Sequence, residues 1–395
     1  MRRALQEPVS TAEASHLTVA VLDGADGMAQ LRDEWHALYQ RGRRELSLSY
    51  AWSHAVASVY GAPGDRIRTI AIRRGAALVG VLPLITRRAR RSFCHLTPLA
   101  EEHTTHSDWL VAEPSTEIAD AFVQGLIEAG VEWDRFRMSR VLEHNVLLPR
   151  FVSALRGRGI RVVLRTEPPS YVMRLPHTYA SYLAARSAKF RNHLKRVDRK
   201  IHTRHADVTV LAGDRSASGF TAAFTRLLAI EQASWKDAHK WAMVAGSAAT
   251  RFWQDVCENA WAEGRLHVQF LAIDGRPAAY NLGYIVGDEY AYLKTTFGDE
   301  FRDLGAATFL RARLVEDLID RGIHLVDFPG EPYDWERQWT AELRRHIMLT
   351  AYSGTARSRV LEWLERVRHI RDTRRETPAQ PFGRGGQPPG KRVDC

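Results

Sequence analysis

The same β-hairpin signature occurs twice in this sequence, and no other feature constrains the fold as strongly. An alternating, β-branched run precedes Arg74-Gly75, and a second such run precedes Asp274-Gly275. Each pair is followed by a return strand, which is the pattern of two strands joined by a tight turn. Gly75 and Gly275 are 200 residues apart, a period too long for stacked short repeats. The chain is therefore predicted to contain two copies of one domain.

The segments around each hairpin predict a mixed α/β domain. Residues 17–22 are typical of a strand, and residues 28–39 have the apolar spacing of a helix. Aromatic-rich helical segments precede both hairpins, at 49–60 and at 224–241. The fold class that follows is α/β, with two tandem domains. Each is expected to have a mixed, mostly antiparallel sheet flanked by helices.

Four segments are expected along the chain. Residues 1–16 are polar and predicted to be disordered, and residues 17–175 form the N-terminal domain. Residues 176–355 form the C-terminal domain. Residues 356–395 are predicted to hold a basic helix, at about 358–370, followed by a disordered tail rich in Pro, Gly and Arg.

Composition narrows the classes of partner. The 395 residues carry 56 Lys and Arg against 46 Asp and Glu, a net charge of +10. Such a balance suits nucleic acid, a membrane surface or a polyphosphate cofactor, and does not choose among them. The three cysteines show no disulfide or CxxC spacing, and there is neither an apolar leader nor an apolar run of membrane-spanning length. We therefore expect a cytoplasmic protein with no transmembrane segment.

A basic amphipathic helix is predicted near the start of the C-terminal domain, within residues 176–204. Phe190, Leu194, Val197 and Ile201 share one apolar face, and Lys and Arg cover the others. The basic faces are either a phosphate-binding surface or an ordinary solvated helix face.

A candidate phosphate-binding junction lies between a predicted strand at 290–297 and a helix whose apolar face contains Leu310, Leu314 and Leu318. The junction reads R-x-x-G-x-A, with Arg302, Gly305, Ala306 and Ala307. Small residues let a phosphate approach the backbone, and the first N–H groups of a helix attract an anion. These residues alone also fit a closely packed loop.

The C-terminal domain resembles the GNAT superfamily, and within it the CelD/BioF2-like acetyltransferase domain. In that superfamily Q/R-x-x-G-x-G/A holds the pyrophosphate of acetyl-CoA, and Ala307 is a tolerated final residue. Further segments resemble the family in order, over about residues 176–340: 187–196, 234–236, 264–266, 273–279 and 327–339. Where many members have Tyr-Lys, this chain has Tyr333-Asp334. The family is also distantly similar to the Fem peptidyltransferases, which pair two GNAT-like domains and use aminoacyl-tRNA.

The resemblance implies acyl transfer to an amine, in a ternary complex and with no metal. Attack on a thioester needs a neutral amine, and hence a general base. Asp327 and Glu331 are the candidate bases, with His324 a weaker one, and Tyr333 is the candidate acid for the leaving thiolate. Each of these also fits a structural role in a loop or turn.

Binding roles are predicted for residues in both domains. Lys294 is a candidate for holding a phosphate or carboxylate of the cofactor, and Trp235 and Lys236 are candidates for lining the acceptor pocket. In the N-terminal domain, the polar loop at 101–108 ends in Asp108, a candidate acceptor ligand. Its two histidines superficially resemble a zinc site, but no fourth ligand is evident and we expect no metal. The N-terminal domain shows no counterpart of the 302–307 junction, so it is expected to be structural or acceptor-binding.

Three functions remain open from the sequence. The first is transfer of an acetyl or other short acyl group from acyl-CoA to a small-molecule amine, a sugar or a biosynthetic intermediate. The second is Fem-like transfer from aminoacyl-tRNA. The third is a non-catalytic tandem domain that binds an anion or a partner. Acceptor, acyl-chain length and oligomeric state are not specified by any residue.

Overall fold

The structure is a computed structural model of the chain. It describes residues 16–42, 45–88, 93–100, 106–128, 133–213, 215–234, 243–330 and 332–375. Most of the two predicted disordered ends lies outside the described residues, as do residues 101–105 of the polar loop. Two compact units are present, and each is described by itself. Among the described residues, the first unit consists of 16–167 and 346–375, and the second unit is Pro168–Arg345.

The first unit has one sheet with helices between its strands. Strands β1 to β4 are neighbours in antiparallel order, β4 pairs with β6 in parallel, and β13 closes the sheet beside β6. The short β5 pairs with β3. The elements are β1 Leu17–Asp23, α1 Gly24–Ala29, α2 Arg32–Arg41, a 3₁₀ helix Leu46–Leu48, α3 Tyr50–Tyr60, β2 Arg66–Arg74, β3 Ala77–Arg88, β4 Cys94–Pro98, β5 Leu110–Val111, α4 Thr116–Glu128, β6 Arg135–Leu142, α5 Leu147–Gly157, β7 Arg161–Arg174, β13 Glu342–Tyr352 and α11 Ala356–Arg375.

The second unit repeats this order of strands. Strands β8 to β11 are antiparallel neighbours, β11 pairs with β12 in parallel, and β12 pairs with the end of β7. The elements are α6 Tyr179–Ala184, α7 Ala188–His202, β8 Ala206–Ala212, α8 Ala217–Gln232, α9 Ala248–Ala262, β9 Leu266–Ile273, β10 Arg276–Val286, β11 Glu289–Phe297, a 3₁₀ helix Asp299–Leu304, α10 Ala306–Asp320, β12 Leu325–Phe328 and a 3₁₀ helix Glu336–Gln338.

The two units therefore share one topology, and the predicted tandem α/β fold is confirmed. In both, four consecutive antiparallel strands are followed by a helix that crosses to a parallel strand: α4 in the first unit and α10 in the second. The predicted hairpins are β2–β3 and β9–β10. At the second turn Asp274 and Gly275 have φ values of 51° and 75°, the left-handed backbone that an Asp-Gly pair favours.

The predicted basic helix is present, but it is interrupted. Its apolar stripe is buried as expected, yet the segment forms α6 and α7 with a break between them. The physical reason is a helix cap: the Ser187 hydroxyl accepts a hydrogen bond from the Phe190 N–H at 3.2 Å and starts a new helix there. Within this stripe, Val197 and Ile201 pack with Leu271 and Leu310 in the core of the second unit.

Candidate functional site

Strands β11 and β12 separate early in the second unit. Their parallel pairing runs from Glu289 with Leu325 to Ala291 with Asp327, although β11 continues to Phe297. The pairing of β11 with β10 also shifts register between Leu282 and Gly283, which is the sign of a β-bulge. Bulges bend a strand. The strands β11 and β12 are no longer paired beyond Ala291 and Asp327, and we call the region where they diverge the cleft.

The 302–307 junction stands at the far end of β11. Gly305 has φ 74° and ψ 35°, and it joins the short 3₁₀ helix to α10. A Cβ at this position would lie 3.0 Å from the Val197 Cγ2 of α7, so only glycine suits both the backbone and the packing. No side chain caps α10 at this end. The first N–H groups of the helix, together with its dipole, are therefore available to an anion.

The neighbouring residues of the junction fit that role in part. Ala306 and Ala307 are buried, and their methyl side chains add little bulk at the start of α10. The Arg302 guanidinium donates to the Asp299 carboxylate at 2.7 Å and lies 5.3 Å from the centre of the Phe297 ring. A bound phosphate would have to draw Arg302 away from Asp299. Such an exposed pair is weak, so the exchange costs little.

The basic helix α7 packs directly beside this junction. Besides Val197, the Lys200 ammonium reaches it and donates to the Asp303 carbonyl oxygen at 2.8 Å. Asp198 pairs with Arg313 of α10 at 2.6 Å, which fixes the two helices side by side. Exposed basic residues cover the outer faces of α7 and the residues after it: Lys189, Lys195, Arg196, Arg199, Lys200 and Arg204. The start of α10 therefore lies next to a positively charged surface.

Asp327 lies where β12 leaves β11. The residue is buried, and its carboxylate accepts from the Arg344 guanidinium at 2.8 Å. An acid held in such a pair is fixed in position at the edge of the cleft. Its predicted role as base or as an orienting group remains a prediction.

Tyr333 and Lys294 lie in different settings. Tyr333 is 61% exposed, and its backbone N–H donates to Glu336 at 2.9 Å.

Lys294 lies 5.3 Å from the Trp253 ring of α9. Its neighbour Thr295 bonds to Asn281 on the other sheet face, the face that packs against α10. Since successive residues of a strand alternate in direction, Lys294 is on the opposite side of the sheet from the 302–307 junction.

The remaining predicted residues are not brought together with the junction. Asp108 belongs to the first unit, where it accepts from the Asn145 amide at 2.7 Å and from the Trp109 N–H at 2.7 Å. Trp235, Lys236 and Glu331 lie outside the described residues. In the part of the chain that is described, no group of three or more His, Cys, Asp or Glu side chains could hold a metal ion.

Sequence reasoning missed a buried arginine at the cleft. Arg311 of α10 is 4% exposed, and its guanidinium carbon lies 3.7 Å from the centre of the Trp335 ring. Its Nε donates to the Tyr292 hydroxyl at 3.4 Å. The available signal was the position of Arg311 next to Leu310 and Leu314, on the face predicted to be apolar.

A buried acid stands close to that arginine. Glu336 is 4% exposed, and burial, with the negative charge of Asp327, raises its pKa from 4.5 to about 8. The hydrogen bond from the Tyr333 N–H and the charge of Arg311 oppose that rise. At neutral pH the Glu336 carboxyl therefore holds a proton, and it releases that proton within about a pH unit of neutrality.

Polar side chains continue inward from the arginine across the sheet. The Tyr292 hydroxyl donates to Asn281, and the Asn281 amide donates to Gln269 at 3.1 Å. All three strands β9, β10 and β11 contribute to this buried chain of hydrogen bonds. Each member is held by the next, so the wall of the cleft on the α10 side is rigid.

Comparison with known proteins agrees with this fold. Residues 188–337 match the model of the acetyltransferase (GNAT) domain. Among solved structures, FemX has a TM-score of 0.53 at 12% identity, covering 80% of this chain and 95% of FemX. L-PGS from Bacillus licheniformis has a TM-score of 0.53 at 10% identity, covering 87% and 96%. A conserved protein of unknown function from Bacteroides thetaiotaomicron has 0.52 at 12%, covering 85% and 100%.

A search of the curated proteins finds no match. Among the described residues, no helix has both the length and the apolar character needed to cross a bilayer. At these low identities the solved structures establish the fold alone, while the family match covers the segment that holds α7, the 302–307 junction and the cleft. Residues 188–337 thus resemble a GNAT acetyltransferase domain in sequence, and the chain as a whole has a fold similar to those of FemX and L-PGS.

Proposed function

We propose that the chain transfers a short acyl group, such as acetyl, from acyl-CoA to an amine. The observation that carries the proposal is the start of α10. Its left-handed Gly305 has no room for a side chain, and no side chain caps the helix. A helix start of this kind binds phosphate groups through its N–H groups. The pyrophosphate of acyl-CoA would lie there, with Arg302 and the Ala306 and Ala307 backbone around it.

The cleft between β11 and β12 supports the second part of the proposal. It begins at Ala291 and Asp327, so a chain anchored at Gly305 can extend along the open edge of β11. In the reaction the amine nitrogen bonds to the acyl carbon, the carbon–sulfur bond breaks, and the nitrogen gives up a proton. Asp327 would orient the amine or serve as base, with Glu331 as the other candidate. Tyr333, being solvent-exposed, would return a proton to the thiolate.

Calorimetric titration with acetyl-CoA tests the proposal. The wild type is expected to bind in the micromolar range, and Arg302→Gln more weakly by about tenfold, because one charged phosphate contact is lost. Arg276→Gln is the matched control: Arg276 also pairs with an acid, Glu300, and lies over a ring, Phe301. Equal losses in the two variants would mean that Arg302 has no specific contact. No binding by the wild type at low or moderate salt would reject the acyl-CoA donor.

A second donor, aminoacyl-tRNA, is favoured by the exposed basic row of α7 beside the junction. This alternative predicts tRNA binding whose affinity falls steeply with salt, since each phosphate contact releases a counterion. Lys195→Gln/Arg199→Gln should weaken that binding and flatten its salt dependence. Arg359→Gln/Arg366→Gln, which removes the same charge from the exposed face of α11, should not. If neither donor binds, a non-catalytic role remains.

A further inference from the structure

Arg311 is a charged residue on the buried face of α10. It is 4% exposed, while its helix neighbours Leu310 and Leu314 are core residues at 0% and 1%. Taking a guanidinium out of water is costly unless a partner satisfies both its charge and its N–H groups. Arg311 therefore needs a partner for its charge and its N–H groups.

Aromatic rings cover the faces of the guanidinium. Its carbon lies 3.7 Å from the ring centre of Trp335, 5.5 Å from that of Trp339 and 5.9 Å from that of Tyr292. Such stacking uses the flat faces of the group and leaves its edge, where the N–H bonds point, free for in-plane hydrogen bonds. The rings therefore hold Arg311 in place, and of the three only Tyr292 also accepts a hydrogen bond from it, at Nε.

The described residues supply one partner for that edge. The Nε donates to the Tyr292 hydroxyl at 3.4 Å, and within the described part of the chain the two terminal nitrogens donate to no protein atom. The nearby acids are engaged in other ways. Asp327 pairs with Arg344, and the Glu336 carboxyl accepts from the Tyr333 N–H, with its pKa raised to about 8. Among the described residues, no carboxylate accepts a hydrogen bond from the fork formed by the two terminal nitrogens.

The fork lies in the cleft where β11 and β12 separate. Tyr292 is the first residue of β11 beyond the last pair with β12, and its ring contacts Phe328, the last residue of β12, at 5.4 Å. Trp335 is only half-buried, so solvent reaches the edge of this cluster. Along α10, Arg311 is six residues from Gly305, about 9 Å deeper than the phosphate-binding turn.

We infer that Arg311 binds a carboxylate of the substrate, held edge-on by the two terminal nitrogens between the rings of Trp335 and Trp339. A planar carboxylate matches the guanidinium fork with two parallel hydrogen bonds, and it fits a slot whose walls are ring faces. This inference rests on the proposed function and adds a substrate class to it. The carboxylate belongs either to the acyl group, as in a dicarboxylic acyl-CoA, or to an amino-acid acceptor.

Two pairs of ligands test the inference on the full-length protein. Within each pair, one member has a carboxylate that the other lacks. In the donor pair, succinyl-CoA is titrated against propionyl-CoA. In the acceptor pair, L-alanine is titrated against L-alaninamide, without CoA. The wild type is expected to prefer the carboxylate member of one pair by roughly 10- to 100-fold, as for a charge-assisted bidentate contact. The pair that shows the preference identifies the source of the carboxylate.

Variants of the arginine decide whether that preference belongs to it. Arg311→Gln should abolish the preference, and Arg311→Lys, which keeps the charge without the planar fork, should retain a small part of it. Arg313→Gln is the control on the same helix and should keep the full preference, since Arg313 already pairs with Asp198 and Glu316. If Arg311→Gln does not fold, as judged by near-ultraviolet circular dichroism, the lysine variant carries the comparison.

Two outcomes overturn the inference: a wild type with no preference in either pair, or a preference that survives in Arg311→Gln. Failure of the proposed function looks different. In that case neither acyl-CoA binds the wild type at all, while the alanine pair, which contains no CoA, still reports on the carboxylate site.

Discussion

The crossover helices of the two units begin in opposite ways. In the first unit the start of α4 is closed by its own side chain: the Ser115 hydroxyl accepts from the Ile118 N–H at 3.1 Å. In the second unit α10 starts at Gly305, which has no side chain to offer, and Arg302 and Lys200 lie next to it. An exposed acid precedes both starts by two residues, Glu113 before Ser115 and Asp303 before Gly305. One topology thus carries a self-capped helix start and an open one with basic residues beside it.

This difference indicates how the two units divide their roles. A side-chain cap already occupies one of the free N–H groups of a helix start, whereas an open start leaves all of them for an anion. We therefore propose that the first unit has a structural or acceptor-binding role, with Asp108 as its candidate ligand, and that acyl-CoA binds to the second.

The largest expected effect comes from closing the open helix start. Gly305→Asp places a carboxylate where the pyrophosphate would lie. Aspartate caps helices and visits the left-handed region, but its Cβ would still meet Val197 Cγ2 at 3.0 Å, so folding of the variant is checked by near-ultraviolet circular dichroism. Acetyl-CoA affinity, measured by calorimetry, should fall by more than about 100-fold, because a contact is lost and a like charge is added.

The matched control is Ser115→Asp, which adds the same charge to the start of α4. Aspartate is as good a cap as serine, so the helix is kept, and acetyl-CoA affinity should not change. A comparable loss of affinity in both variants would show that the effect is one of overall charge or folding, and the contrast between the two helix starts would have no functional meaning.

A second contrast concerns two buried acids. In the first unit, burial would raise the pKa of Glu365, but hydrogen bonding from Tyr352 and the charges of Arg135 and Arg137 outweigh burial and lower it. In the second unit, burial dominates at Glu336 and raises its pKa from 4.5 to about 8. The two acids should therefore give stability opposite dependences on pH.

The sign follows from proton binding. Between pH 4.5 and about 8 the folded protein keeps the Glu336 proton and the unfolded chain does not. In this range Glu336 therefore lowers the free energy of unfolding by up to about 1.4 kcal/mol for each unit by which the pH rises. Glu336→Gln should match the wild type near pH 4.5 and become more stable than it as pH rises toward 8. Urea unfolding at several pH values measures this difference, and a constant difference across that range would contradict it.

Glu365→Gln is the opposite case and the control. The carboxylate of Glu365 contributes stability above its unfolded pKa, and that contribution disappears as pH falls through its folded pKa. The variant should therefore be less stable than the wild type at pH 7 and approach it in acid. If Glu365→Gln instead became more stable than the wild type as pH rises, as is expected of Glu336→Gln, burial rather than the arginine partners would control the pKa of Glu365 as well.

The sequence was most informative where local patterns decide structure. Alternating strands around Asp274-Gly275 predicted β9 and β10, and the stripe from Phe190 to Ile201 predicted the buried side of α7. Period and turn chemistry act over a few residues, so they can be read from one sequence. The break between α6 and α7 was missed because the apolar spacing outweighed the local capping signal of Ser187.

The site was less predictable, since its residues meet only after folding. The 302–307 junction is continuous in sequence and was recognised as a motif. The contact of Val197 with Gly305 and the ring cluster around Arg311 join elements far apart in the chain. For the same reason the sequence could not show that Lys294 faces α9 rather than the junction, because that depends on which sheet face each helix covers.

The smallest expected effects test how each helix start contributes to stability. Ser115→Ala removes the cap of α4 and should lower the free energy of unfolding by about 1 kcal/mol. Gly305→Ala should cost more, since alanine in the left-handed region loses about 1 kcal/mol and its Cβ would also meet Val197 Cγ2 at 3.0 Å. Gly322→Ala separates these two terms, because Gly322 has φ 75° and an added Cβ there meets nothing within 4 Å.

If Gly305→Ala lowers the free energy of unfolding in urea by no more than Gly322→Ala does, the close packing of α7 on this turn is not what requires glycine. If Val197→Ala restores part of the lost stability in the Gly305→Ala background, the packing of α7 is what keeps the start of α10 free of side chains, and so open to an anion.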